Sequence, residues 1–85
     1  MPRLIDVRAP EQEKEELAAC EAILLFWYMN EGDSVAAEQD LAEIETAKAV
    51  IVVKAPENGV LREVLVREGD PVEPGQKLAT IERTG

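Results

Sequence analysis

The chain has 85 residues, enough for one compact domain over residues 1–85, and it carries a net charge of −9 with no histidine at all. Without histidine the usual proton shuttle, the His-paired nucleophiles and most catalytic zinc arrangements are gone, so the chain is not expected to be an enzyme on its own. The charge is uneven: residues 11–45 hold eleven acids and one lysine, while residues 46–85 balance, which argues against nucleic acid and anionic membranes and favours a basic partner protein.

In chain order, the opening MPRLIDV lacks the apolar run of a signal peptide, and its methionine is read as the start of a complete chain. QEKEELAACEA (residues 12–22) has no β-branched residue and reads as a helical turn or a charged surface loop. The one cysteine, Cys20, has no internal disulfide partner and no cationic neighbourhood, so it reads as inert. A cytoplasmic location is expected. AILLFWYM (residues 22–29) is far short of a membrane span and reads as a strand. Leu24, Trp27 and Met29 are expected to point inward. Phe26 is expected at the surface, as an interface residue or covered by residues 12–20.

Next come EGDSV, a turn in which glycine supplies an unusual φ and aspartate bonds to nearby backbone, and LAEIE, a strand. Leu41 and Ile44 both belong to the core, and their spacing of three requires a twist or bulge. In ETAKAV (residues 45–50), Lys48 stands between two alanines. Residues 51–53 form a short β-branched strand. Asn58-Gly59 turns into another strand, then EGDPV and Pro74-Gly75 give further turns before LATIE.

The chain repeats itself. From Glu31 and Glu68 onward, nine of fifteen positions are identical at an offset of 37. VRAPE (residues 7–11) echoes VKAPE (residues 53–57) at an offset of 46. Each half reads as strand, turn, strand. Seven or eight short strands with frequent turns predict an all-β sandwich or small barrel, with the halves related by a quasi-two-fold axis.

Glu31-Gly32-Asp33, Leu41, Ile44, Glu45-Thr46-Ala47-Lys48-Ala49, Ala55-Pro56, Gly59, Glu68-Gly69-Asp70, Pro74-Gly75-Gln76 and Leu78, in this order, resemble the biotinyl/lipoyl attachment domain family. The resemblance is closer to the lipoyl domains of 2-oxo acid dehydrogenase complexes. It implies a flattened β-barrel of two four-stranded antiparallel sheets with an internal pseudo-dyad. It also implies a cofactor joined by an amide to the hairpin lysine, Lys48. The lipoyl pattern E-T-D-K-A fits better than the biotinyl A-M-K-M, so lipoate is the implied cofactor and biotin the alternative. The implied role is a carrier moving acyl groups between the active sites of 2-oxo acid dehydrogenase-type enzymes, loaded by a lipoate ligase. A biotin ligase and a carboxylase, or an unmodified binding module, are the alternatives. No metal is implied.

Three departures stand out. Ala47 replaces the aspartate of the lipoyl pattern. The loop after Glu11 has no glycine. Glu38 replaces a turn glycine that its repeat mate Gly75 keeps, so the first turn is expected to take another form, because a positive φ strains an L-residue.

Overall fold

The computed structural model describes residues 3–9 and 22–83; the expectations for residues 12–21, including Cys20, lie outside them. Among the described residues seven strands form: β1 (Arg3–Arg8), β2 (Ile23–Trp27), β3 (Ser34–Val35), β4 (Asp40–Glu45), β5 (Val50–Lys54), β6 (Gly59–Val64) and β7 (Lys77–Arg83). One antiparallel sheet has the order β1-β7-β6-β3, the other β2-β4-β5. A single bridge between Ile23 and Pro71 stands beside β2, where a fourth strand is expected. Pro71 matches Ser34 of β3 in the repeat. Proline has no N–H to give a ladder, so that strand shrinks to one bridge.

With this bridge counted, the sheets read β1-β7-β6-β3 and β5-β4-β2-Pro71, and each member is the repeat mate of its opposite number. The hydrogen bonds repeat as well. Gly32 N donates to Leu61 O and Gly69 N to Leu24 O; Leu61 N donates to Asp33 O and Leu24 N to Asp70 O. Each Glu-Gly-Asp turn therefore docks on the opposite sheet and locks the halves together. In both turns the aspartate carboxylate accepts from the backbone three residues back, Asn30 N and Arg67 N, at 2.8 Å. Gly32 and Gly69 hold φ values of 96° and 87° there.

The core is also built from mates: Leu24 with Leu61, Leu41 with Leu78, Ile44 with Ile81, Val35 with Val72, Val7 with Val53. The Leu41–Ile44 spacing is absorbed as anticipated, by a register shift between Asp40 and Ala42 against β5; β2 has its own shift between Leu24 and Phe26. Trp27 and Met29 pack on the core, and the Trp27 indole N–H donates to Val66 O at 2.8 Å. Phe26 is half-buried rather than exposed, with its ring edge-on to Tyr28 at 4.8 Å between centroids.

The expectation for Glu38 is corrected. Its φ is 70°, against 74° at Gly75, so the two turns share one form. Glu38 N donates to Ala55 O, Ala55 N to Gln39 O, and the Gln39 side chain accepts from Ala36 N. The second turn has the matching bonds from Ala9 N to Gln76 O and from Glu73 N to Gln76 Oε1. These bonds hold the backbone in the left-handed region although the residue disfavours it.

Candidate functional site: the hairpin tip

β4 and β5 pair from Asp40–Lys54 to Glu45–Val50, leaving residues 46–49 to turn the chain. Two-residue hairpin turns ordinarily need positive φ at their centre. Neither Ala47 nor Lys48 has one. Thr46 supplies the alternative. Its amide donates to Ala49 O at 2.9 Å, the ladder bond expected of a tight turn. The return bond does not go to its carbonyl: Ala49 N donates to Thr46 Oγ1 at 3.0 Å, and Lys48 N donates to the same oxygen at 3.2 Å. The hydroxyl in turn donates to Ala49 O at 3.0 Å. With Thr46 only 7% exposed, a buried hydroxyl acts as the internal brace of an exposed turn.

Lys48 stands at the outermost point of this turn, exposed, with exposed alanines on either side. Among the described residues its side chain makes no ion pair or hydrogen bond. By contrast Lys54, farther down the hairpin, is held by Asp40 at 2.8 Å, and this bond keeps its pKa above the ordinary lysine value. The tip therefore offers a primary amine on a long stem, flanked by methyl groups and fixed at its base. At residues 47–49 themselves a second protein can close over the amine without meeting a bulky or charged side chain beside it. The residues fit amide attachment of a carboxylic acid cofactor.

Among the described residues no group of three or more acids and cysteines is placed to hold a metal ion. A groove between the two Glu-Gly-Asp turns is lined by Trp27, Val64, Asn30, Arg67 and others. These are repeat mates, so the groove is a product of the pseudo-symmetry. It lies at the Trp27 end of β2, whereas the lysine hairpin lies at the Ile23 end, where Ile23 pairs with Glu45.

Sequence reading put Lys48 at a hairpin tip, and the structure has it there. The bracing role of Thr46 is not among the expectations drawn from the sequence. The available signal was a threonine two and three residues before amides that leave a strand, the local pattern of a side-chain-closed turn.

Comparison with known proteins adds to this geometry. The family profile described as biotin-requiring enzyme matches residues 6–81. The succinyltransferase component of the 2-oxoglutarate dehydrogenase complex of Staphylococcus saprophyticus is 40% identical over 74 residues, covering 85% of this chain and 18% of that protein. The counterpart from Cupriavidus necator is 35% identical over 79 residues, covering 93% of this chain and 18% of its own length. The chain thus spans less than a fifth of these relatives. Among solved structures, the lipoyl domain of the 2-oxoglutarate dehydrogenase complex of Azotobacter vinelandii matches with a TM-score of 0.71 and 26% identity, over 93% of this chain and 99% of that one.

Proposed function

Since the chain belongs to the biotin/lipoyl attachment family, we propose that it is a carrier domain, lipoylated on Lys48, that moves acyl groups between the active sites of a 2-oxo acid dehydrogenase-type system. The observation that carries this is the exposed Lys48 on a braced hairpin tip, without an ion pair or side-chain hydrogen bond among the described residues. Loading joins the Lys48 Nζ to the carboxyl carbon of an adenylate-activated acid; the bond to AMP breaks, AMP leaves, and the amine gives up a proton to the ligase. When bound, the lipoyl group would supply a disulfide that is reduced as an aldehyde-level donor on a partner enzyme is oxidised and leaves its acyl group as a thioester, with a dithiol remaining once that acyl group is handed on.

The chain's own residues do the rest. The Thr46 hydroxyl holds the turn, Ala47 and Ala49 keep the approach open, and the paired sheets form a rigid base. Tethering on such a base keeps the cofactor at high effective concentration around its partners. Likeness to the acyltransferase components supports lipoate over biotin. So does Lys48 being flanked by Ala47 and Ala49 instead of two methionines.

The test is intact mass after incubation with a lipoate ligase, and separately with a biotin ligase. The expected result is one lipoyl group on the wild type and none on Lys48→Arg. Addition of biotin alone would move the reading to a carboxylase carrier. No addition with either ligase would leave an unmodified binding module.

A further inference from the structure

The pseudo-symmetry provides an internal control, because two faces with the same backbone differ in what they show to solvent. On the outer face of the lysine-bearing sheet, Phe26, Glu43 and Val52 stand in one row across β2, β4 and β5. Their mates across β6, β7 and β1 are Glu63, Thr80 and Asp6. The bulge residue Leu25 likewise corresponds to Arg62. Three positions are thus apolar beside the lysine hairpin and charged on the other sheet.

On that second sheet two of the charges at these positions, Arg62 and Asp6, sit in ion pairs, although Leu4 farther along β1 stays exposed. Arg62 bonds Glu82 at 2.6 Å, Lys77 reaches Asp6 at 3.2 Å, and Thr80 at the row's centre is buried. On the lysine-bearing sheet Val52 is 37% exposed where its mate Asp6 is charged, whereas the exposed Val50 and Tyr28 have exposed apolar mates in Leu4 and Leu65, so the contrast lies at Leu25, Phe26 and Val52. Half-buried Leu25 and Phe26 and exposed Val52 thus present apolar surface there around Glu43, which accepts from the Tyr28 hydroxyl, and Glu45. The fold does not need these apolar groups, since the same backbone carries charges in its other half. An open apolar face of this kind marks a contact surface.

Resting on the carrier reading, we propose that this outer face of β2–β4–β5 is where the lipoate ligase that loads Lys48 docks, through an apolar centre flanked by basic side chains. The exposed tip contributes only residues 47–49, whereas a specific interface takes about 20–30 residues a side. The ligase must therefore extend down the hairpin. The inner face of the hairpin is core, so the outer face is the one it meets. Glu43 and Glu45 stand in that face, and Asp40 is neutralised by Lys54, so the complement is basic. A second copy is disfavoured, because pairing two such faces brings Glu43 and Glu45 against their own kind on molecules of charge −9.

The test grafts the second sheet's residues onto the first: Leu25→Arg, Phe26→Glu and Val52→Asp together. The reciprocal control is Glu63→Phe with Asp6→Val. Each protein is loaded by purified lipoate ligase with lipoate and ATP, and KM for the protein substrate and kcat are measured. Circular dichroism and thermal melting confirm folding; if the triple graft does not fold, Phe26→Glu and Val52→Asp are tested singly. The graft is expected to raise KM about tenfold or more with kcat within about twofold, while the control keeps the wild-type KM. A graft with wild-type KM overturns the proposal, and so does an equal rise in the control. A wild-type dimer that the graft disperses would assign the face to a second copy instead. A wild type that accepts no lipoyl group would sink the carrier reading and this proposal with it, whereas wild type and graft loading alike sink the proposal alone.

Discussion

Replacing Thr46 with valine keeps the shape of the side chain and removes its hydroxyl. The Lys48 and Ala49 amides, at 3.2 and 3.0 Å, lose their acceptor, and the bond to Ala49 O is lost as well. Each such bond contributes about 0.5–1.5 kcal/mol net, and at an exposed turn water takes over part of it. A loss of about 1–2 kcal/mol from the tip follows, which raises the population of the open turn about 5- to 30-fold. Core strands β4 and β5 stay anchored by Leu41, Ile44, Ile51 and Val53, all buried. The damage is therefore local. Amide hydrogen exchange at Ala49 should accelerate by that factor, and loading of Lys48 by a lipoate ligase should slow, while exchange in β7 shifts far less. Thr46→Ser, which keeps the hydroxyl, should restore both readouts. Exchange and loading at wild-type rates in Thr46→Val would show that the hydroxyl does not brace the turn.

Glu38→Gly should stabilise the protein. It relieves about 1–2 kcal/mol of left-handed strain and costs about 0.5–1 kcal/mol of added unfolded-chain freedom. The net gain of roughly 0.5–1 kcal/mol raises Tm by several degrees; a lower Tm would show that the Glu38 side chain contributes more than its backbone costs. Gly59→Ala should destabilise by about 1–3 kcal/mol, because a Cβ there would lie 2.3 Å from Glu82 O and 2.6 Å from Ile81 Cγ2; chemical denaturation measures it. Asp6 is held below the ordinary carboxylate range mainly by its bond to Lys77, and Glu82 mainly by its bond to Arg62. Depressed carboxylates stabilise above their unfolded values, and this contribution is lost as pH falls through their folded values. Comparing melts from pH 7 down into the acid range, the double variant Asp6→Asn/Glu82→Gln should lose less stability than the wild type.

Much of the architecture was legible in the chain because it rests on short-range chemistry repeated twice. The Glu-Gly-Asp turns need only a glycine and an aspartate three residues from the amide it accepts, and both copies have them at Gly32-Asp33 and Gly69-Asp70. Alternation and the 37-residue offset then place Leu24, Leu41 and Ile44 opposite the same core as Leu61, Leu78 and Ile81. Lys48 between alanines needed no tertiary information to be singled out.

Other features were decided only when distant segments met. The left-handed Glu38 is imposed by Ala55 and Gln39, which its own preferences oppose. The missing fourth strand depends on which neighbour Pro71 meets. The apolar row of Phe26 and Val52 depends on β2 and β5 pairing to opposite sides of β4. Local hydrogen bonding and periodicity are properties of neighbouring residues and so are written in the chain. A strained φ or a shared surface depends on contacts that close only after long loops have formed, and tertiary packing alone selects them.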